Sequence, residues 1–198
     1  MIIIGITGGS GGGKTSALRA LDSLGALVID CDALYHELLA QNIDMIGEIA
    51  ARFEGVVTDG AVDRKALGRI AFNDAEALIE LNEITHKYVS AEVDRRLKEW
   101  ESQGGTLAAV DAIALIESGL GGKCDILVGV TAPIEIRVKR IMERDGLSEE
   151  YAKMRIGAQK PDSFFREHCD YVLVSDCETV ELFERKCVEF FARILEER

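Results

Sequence analysis

Short apolar runs alternate with amphipathic segments along most of the chain. Runs rich in β-branched and other apolar residues predict buried strands at 2–7, 27–29, 106–113, 126–131 and 171–174. The segments between them have apolar residues at helical spacing and are long enough to form crossover helices. This alternation predicts an α/β fold, in which a doubly wound, mostly parallel five-stranded sheet forms the middle of three layers.

Two segments depart from this alternation. Residues 43–103 show helical periodicity with little strand character, which predicts a helical insertion suited to substrate capture. Residues 137–166 carry an excess of three positive charges, whereas the whole chain has a net charge of −12. Such a local excess against an acidic background favours contact with a polyanion, and the structural alternative is a charged helix face exposed to solvent.

Composition limits the class of protein. The 198 residues are 47% apolar with a mean hydropathy of +0.07, which predicts a folded chain with one sizeable core. The acidic balance disfavours binding to nucleic acids or anionic lipid, no apolar run is long enough to cross a bilayer, and no basic leader begins the chain. We therefore expect a cytoplasmic protein. The five cysteines form no C-x-x-C pair and are expected to be free thiols.

A glycine-rich loop follows the first predicted strand. The sequence GGSGGGKT at positions 8–15 fits the phosphate-binding pattern G-x-x-x-x-G-K-[ST], and it lies between a strand and a helix as that pattern requires. We expect Lys14 to hold the β and γ phosphates of ATP, Thr15 to place its hydroxyl on Mg²⁺, and Ser16 to donate to the α phosphate. The predicted nucleotide-binding residues of the loop are Gly9, Gly11, Gly12, Gly13, Lys14, Thr15 and Ser16.

The loop alone does not say how the nucleotide is used. A GTPase would need an N-K-x-D tetrapeptide, which the sequence does not contain. An assembly ATPase usually has an acid after four apolar residues, and only the run that ends at Asp111 partly resembles this pattern.

Two carboxylates end the second predicted strand. In an open parallel sheet the carboxyl ends of neighbouring strands face one crevice, so Asp30 and Asp32 are expected to lie near the transferred phosphate. Asp32 is the predicted general base that orients an acceptor hydroxyl and takes its proton, and Asp30 is predicted to support Mg²⁺ through water. The structural alternative is that Asp32 caps a helix over 32–39 and Asp30 only ends the strand.

An ordered set of motifs over almost the whole chain resembles the dephospho-CoA kinase family. The loop by itself is common to many kinases, whereas D-x-D after the second strand together with D-G-x-x-D-R is much more specific. The matching segments are ITGG at 6–9 with the loop, GALVIDCD at 25–32, DGAVDR at 59–64 followed by Leu67, LNEITH at 81–86, LIESG at 115–119, Arg140 with Arg144, and RIGAQ at 155–159.

The resemblance implies ATP-dependent phosphorylation of the ribose 3′-hydroxyl of dephospho-CoA, the last step of coenzyme A synthesis. It implies one P-loop kinase domain in three parts: a nucleotide-binding core at about 1–42, 104–136 and 168–198, a helical CoA-binding insertion at about 43–103, and a lid at about 137–167. By the same resemblance Asp32 is the base, Lys14 and Arg140 contact the transferred phosphate, Arg144 approaches the nucleotide, and Arg64 and His86 bind the acceptor.

The chain departs from the family pattern at three places. Lys87 stands where the family usually has proline, Ile113 also replaces a proline, and Ser175 lies in a turn that is usually rich in asparagine. Two other functions therefore remain open at this point: another small-molecule P-loop kinase acting on a nucleoside, nucleotide or sugar alcohol, and an ATP-binding protein without turnover. The expected partners are small molecules, and the expected assembly is a monomer or weak homo-oligomer.

Overall fold

The computed structural model describes residues 1–197, so Arg198, the last residue of the predicted core, lies outside the described part of the chain. The strands are β1 (Ile2–Thr7), β2 (Leu27–Asp30), β3 (Val57–Thr58), β4 (Ala61–Val62), β5 (Leu107–Asp111), β6 (Ile126–Thr131) and β7 (Tyr171–Val174). The helices are α1 (Lys14–Ser23), α2 (Cys31–Gln41), α3 (Ile43–Arg52), α4 (Arg64–Asn73), α5 (Ala75–Ser102), α6 (Ile134–Asp145), α7 (Glu149–Gly157), α8 (Asp162–His168) and α9 (Val180–Glu196).

Five strands form one sheet in the order β2-β5-β1-β6-β7. Strand β1 pairs in parallel with β5 and β6, and β6 pairs in parallel with β7. The sheet and its flanking helices confirm the predicted doubly wound α/β fold. Because β1 is the central strand, the loop that follows it emerges in the middle of the carboxyl edge of the sheet, where the ends of parallel strands converge.

The described chain divides into two compact units, residues 1–29 with 100–197, and residues 30–99. In the first unit, helices α1 and α9 pack together. Their apolar faces and strand β1 supply the largest fully buried side chains of this core, among them Ile4, Ile6, Leu21, Phe183 and Phe191. Full burial of each such side chain stabilises the fold by about 1.5–3 kcal/mol.

The second unit is helical and contains one short hairpin. Helix α5 buries Leu81, Val89 and Val93 along one face. The hairpin of β3 and β4 differs from the sequence prediction, because the helical periodicity of this segment masks two strands of only two residues each. Its turn has Asp59 and Gly60 in left-handed conformations, with φ of 51° and 77°, and this Asp-Gly pair is the local signal that indicates such a turn.

Two predicted boundaries change. The helix expected over 32–39 begins at Cys31, and its N-cap is Asp30, whose side chain accepts hydrogen bonds from the backbone of Asp32 and Ala33. The strand expected over 106–113 ends at Asp111. Beyond that point only one backbone bond to β1 continues, from the Ala112 N–H to the Ile6 carbonyl.

The last turn of α5 contains the chain's single tryptophan. The Trp100 indole N–H donates to the Leu107 carbonyl at 2.9 Å. A Cβ at Gly105 would overlap the indole ring, so a side chain larger than hydrogen does not fit beneath it. Within residues 1–197, no helix combines the length and apolar character that a membrane crossing needs.

Candidate active site

The glycine-rich loop bends sharply at two residues. Gly13 has φ of 104°, a left-handed conformation, and it forms the N-cap of α1. Gly8 has φ of 144°, and a Cβ there would overlap the Val130 carbonyl of β6. Only glycine has the conformational freedom and the small size that both positions require. The loop therefore has the compact shape in which backbone N–H groups and the N-terminus of α1 form an anion site.

Lys14 lies beside a carboxylate from the neighbouring strand. Its Nζ is 3.7 Å from Oδ1 of Asp111, the last residue of β5, and the two side chains are only 15% and 11% exposed. Asp111 ends the apolar run described in the sequence but is an addition to the predicted site residues. An acid at the end of a buried strand next to β1 is the signal that identifies it.

The next two residues of α1 have different surroundings. Thr15 is exposed, so its hydroxyl is accessible to a ligand, whereas Ser16 is buried. The Ser16 N–H donates to the Gly13 carbonyl at 3.1 Å.

Arg140 of α6 contacts the phosphate loop. Its Nη1 donates to the Gly11 carbonyl and its Nη2 to the Ser175 hydroxyl, both at 3.0 Å. Burial lowers the pKa of Arg140, but an arginine remains protonated at neutral pH. Ser175 is fully buried. The serine that departs from the family pattern therefore orients the Arg140 guanidinium in this chain.

Two further side chains contact the loop, and both are additions to the predicted site residues. They come from the lid segment, the residues at about 137–167 that the resemblance implies to be a lid. Arg137 donates from Nε to the Ser10 carbonyl at 3.0 Å. Gln159 accepts from the Ser10 N–H and donates to the Ser10 hydroxyl, each at 2.9 Å. The positive charge of residues 137–166 was a general signal for this contact, but it did not distinguish Arg137 from its neighbours.

Arg144 is not among the side chains that contact the loop in this structure. Its guanidinium binds both carboxylate oxygens of Asp145, at 2.7 and 2.8 Å, and Arg155 binds the same carboxylate. These charged hydrogen bonds lower the pKa of Asp145 and raise that of Arg144.

The acids after β2 have separate structural roles. Oδ1 of Asp30 accepts from the N–H groups of Asp32 and Ala33, both at 2.9 Å, so Asp30 is the helix cap. The capping role that was the structural alternative for Asp32 thus belongs to Asp30. The Asp32 side chain is exposed in the first turn of α2, where it can meet a ligand.

The predicted acceptor-binding residues also lie in the second unit. Asp63 caps α4 and fixes Arg64 as its first residue. Nη2 of Arg64 lies 3.1 Å from Nε2 of His36, and since a guanidinium has only donors, this histidine nitrogen is the acceptor. His36 was not predicted. His86 is half-buried, and burial lowers its pKa, so the imidazole is neutral at pH 7.

Lys87, another departure from the family pattern, is on the surface of the second unit. Its ammonium contacts both oxygens of the Glu48 carboxylate at 2.6 and 2.7 Å. The Tyr88 hydroxyl donates to the same carboxylate at 2.7 Å. The substitution is therefore accommodated by an ion pair between α5 and α3.

Comparisons with known proteins show similarity over almost the whole chain. A family model described as dephospho-CoA kinase matches residues 2–181. A dephospho-CoA kinase of Geobacter sulfurreducens is 38% identical over 195 residues, which cover 98% of each chain. Two solved structures are also similar. The protein TT1252 from Thermus thermophilus has a TM-score of 0.80 and 34% identity over 97% of each chain, and dephospho-CoA kinase from Campylobacter jejuni has a TM-score of 0.70 and 26% identity over 97% of this chain and 96% of the other.

Proposed function

The chain belongs to the dephospho-CoA kinase family, and from this premise we propose how its residues transfer the γ-phosphoryl group of ATP to the ribose 3′-hydroxyl of dephospho-CoA. The observation that carries the activity is the family match over residues 2–181, which includes the entire phosphate loop. The match gives no support to a kinase of another class or to a protein without turnover.

The loop, Lys14 and Arg140 are proposed to bind the nucleotide phosphates. Backbone N–H groups at the start of α1 provide fixed donors, Ser16 adds a donor for the α phosphate, and Lys14 provides a mobile cation for the β and γ phosphates. Arg140 is held at the loop by two hydrogen bonds, so its charge is already in place when negative charge shifts during transfer. Arg144 remains a proposed nucleotide contact; reaching the phosphates requires it to leave Asp145.

Asp32 is proposed to be the general base. Its exposed carboxylate is not used to cap α2, because Asp30 has that role, so it is available to accept the proton of the acceptor hydroxyl. Such a base orients the hydroxyl and contributes about 10² to 10⁴ in rate.

The oxygen donors of Thr15, Asp111 and Asp30 are of the kind that suits Mg²⁺. This ion prefers oxygen donors, keeps several waters and needs few protein ligands. We propose that the exposed Thr15 hydroxyl binds it directly, and that Asp111 and Asp30 support it through water. When bound, the ion neutralises charge on the phosphate oxygens.

The acceptor is proposed to bind the second unit. Arg64, aligned by His36, suits the pyrophosphate of dephospho-CoA because a guanidinium can donate to two oxygens at once. A neutral His86 provides one donor and one acceptor for a polar group of the same substrate. We also propose a monomer or weak homo-oligomer in the cytoplasm, which light scattering and cell fractionation would test.

The decisive experiment measures ADP release from Mg·ATP with and without dephospho-CoA, with the product mass determined in parallel. We expect release that depends on the acceptor and a product heavier by one phosphate group. Release without acceptor, or ATP binding without turnover, would contradict the proposed function.

A further inference from the structure

Ser10, the third residue of the phosphate loop, is held by two side chains that are far from it in sequence. Arg137 donates to its carbonyl oxygen at 3.0 Å. Gln159 accepts from its N–H and donates to its hydroxyl, both at 2.9 Å. Every polar group of Ser10 therefore has a partner in the lid segment, and the position of this part of the loop depends on that segment.

Ser10, Arg137 and Gln159 form a closed hydrogen-bond network, and only one orientation of the Gln159 amide satisfies it. Oε1 of Gln159 also accepts from Nη2 of Arg137 at 2.9 Å. Because the Ser10 N–H and the guanidinium can only donate, the amide oxygen must face them, and the amide nitrogen must face the Ser10 hydroxyl. A shift of the lid segment would break several of these bonds together.

Arg137 has an unusual environment for a charged side chain. It is only 4% exposed, and its nearest carboxylate, Asp162, is 3.8 Å away and 41% exposed. Burial of the guanidinium lowers its pKa. A buried charge is costly unless it is well hydrogen-bonded, and here the loop and Gln159 provide those bonds.

The packing around Arg137 leaves the loop little freedom. A Cβ at Gly9 would overlap the guanidinium, and a Cβ at Gly11 would lie 2.8 Å from the Arg137 carbonyl. The loop backbone thus lies directly against the side chain and backbone of α6. This close packing restricts the loop to the conformation that the network selects.

We propose that Arg137 and Gln159 are positioning residues that fix Ser10, so that the loop N–H groups stay converged on the nucleotide phosphates. They act through the loop and not by contact with the acceptor. The proposal rests on the proposed function for the identity of the nucleotide, and it predicts a selective loss of phosphate binding when the network is broken.

The test uses Gln159→Met, which keeps the length of the side chain but removes its amide. Gln159 is only partly buried, so this variant is expected to fold. Arg137→Met is a less suitable test, because Arg137 is buried. Lys139→Met is the matched control. Lys139 is in α6, the helix that also carries Arg137, but its side chain is 77% exposed. Calorimetry would give the Kd of Mg·ADP, and steady-state assays would give kcat and both KM values.

For Gln159→Met we expect the Kd of Mg·ADP to rise about tenfold or more and kcat to fall similarly, since three hydrogen bonds of about 1 kcal/mol each are lost. The KM for dephospho-CoA at saturating ATP should change less than about twofold, as should every constant of Lys139→Met. Gln159→Glu keeps an acceptor for Ser10 and Arg137, so it should retain more nucleotide affinity than Gln159→Met.

Two results would overturn the proposal. One is a Kd for Mg·ADP in Gln159→Met that stays within about twofold of the native value. The other is a purely structural pattern, in which the melting temperature falls while the kinetic constants of the folded fraction do not change. If the native protein binds Mg·ADP but does not phosphorylate dephospho-CoA, the proposed function fails, and the Mg·ADP comparison still decides the role of the network.

Discussion

At the scale of single residues, the Asp111 carboxylate positions the Lys14 ammonium. The ammonium and carboxylate lie 3.7 Å apart with little exposure to water, and this geometry holds Lys14 at the loop. A bound phosphate competes for Lys14, because the same ammonium cannot satisfy both anions fully. In the proposed function, the Asp111 carboxylate then becomes available to the water shell of Mg²⁺.

Asp111→Asn tests this role. We expect the Mg²⁺ concentration for half-maximal rate to rise about tenfold, as for the loss of an outer-shell metal partner. The measurement is a Mg²⁺ titration of the kinase rate at saturating ATP. Asp125→Asn is the control, since Asp125 accepts from the Ile3 N–H at the other end of the sheet. An unchanged Mg²⁺ requirement in Asp111→Asn would exclude the metal-supporting role.

Asp32→Asn removes the proposed base but leaves a side chain of the same size. We expect kcat to fall roughly 10²-fold or more, because proton transfer from the acceptor loses its assistance. The Kd of Mg·ADP should stay near the native value. Turnover near the native rate would show that the acceptor hydroxyl loses its proton by another route.

His86 gives a prediction on pH and stability. Burial lowers its pKa below the ordinary 6.5, so the unfolded chain takes up a proton at a higher pH than the folded chain does. Its contribution to stability is therefore complete above about pH 6.5 and is lost as the pH falls through the lower folded-state pKa. We expect His86→Gln to show a smaller drop in melting temperature from about pH 7.5 to about pH 5 than the native protein. An equal drop would assign the pH dependence to other groups.

The residue scale also shows what sequence can predict. The roles expected for Lys14 and Thr15 are predicted by a contiguous motif. Those expected for Asp30 and Asp32 are predicted by their position at the end of a strand. Gln159 gave no such signal for Ser10, because 149 positions separate the two residues and only folding joins them. Long-range hydrogen bonds of this kind have no local pattern.

At the scale of elements, the start of α1 depends on a glycine whose conformation other residues avoid. Gly13 has φ of 104°, and a Cβ there would lie 2.9 Å from the Ser175 hydroxyl and 3.0 Å from the Phe183 ring. Backbone strain and steric conflict thus act at the same position.

Comparing Gly13→Ala with Gly25→Ala separates these two effects. Gly25 has φ of 85°, but a Cβ at this position would meet no atom within 4 Å, so its substitution adds strain alone, about 1–2 kcal/mol. We expect a larger loss of unfolding free energy for Gly13→Ala, together with a Kd for Mg·ADP raised about tenfold or more because the loop is displaced. Urea denaturation and calorimetry measure both quantities. Equal effects would mean that the loop absorbs the extra methyl group.

Helix α6 shows that two arginines at helical spacing can make different contacts. The family resemblance implies that Arg140 and Arg144, which are four residues apart, both approach the nucleotide phosphates. In the structure Arg140 meets the Gly11 carbonyl, whereas Arg144 is bound by its neighbour Asp145. Both arginines share one helix face, but their partners differ: Arg140 also binds the Ser175 hydroxyl, and only Arg144 is held by an acid. Arg137, one turn before Arg140, is buried against the loop.

At the scale of the whole molecule, nucleotide binding should be measurable as stability. A ligand that binds only the folded state at about 100 times its Kd stabilises it by about 2.7 kcal/mol, or roughly 5–10 °C in melting temperature for a chain of this size. We expect Mg·ADP to produce this shift in the native protein and Lys14→Ala to reduce it strongly. The check is thermal denaturation over a series of Mg·ADP concentrations. The same shift in Lys14→Ala would remove Lys14 from the phosphate site.

Trp100 provides an optical consequence of the fold. Since it is the sole tryptophan, intrinsic fluorescence excited at the red edge of the indole band comes from one place, the last turn of α5. Its indole is half-buried and donates to the Leu107 carbonyl, so loss of this packing moves the emission to longer wavelength. Such a measurement needs no mutation and no attached dye. It reports the separation of the end of α5 from β5 in the native chain.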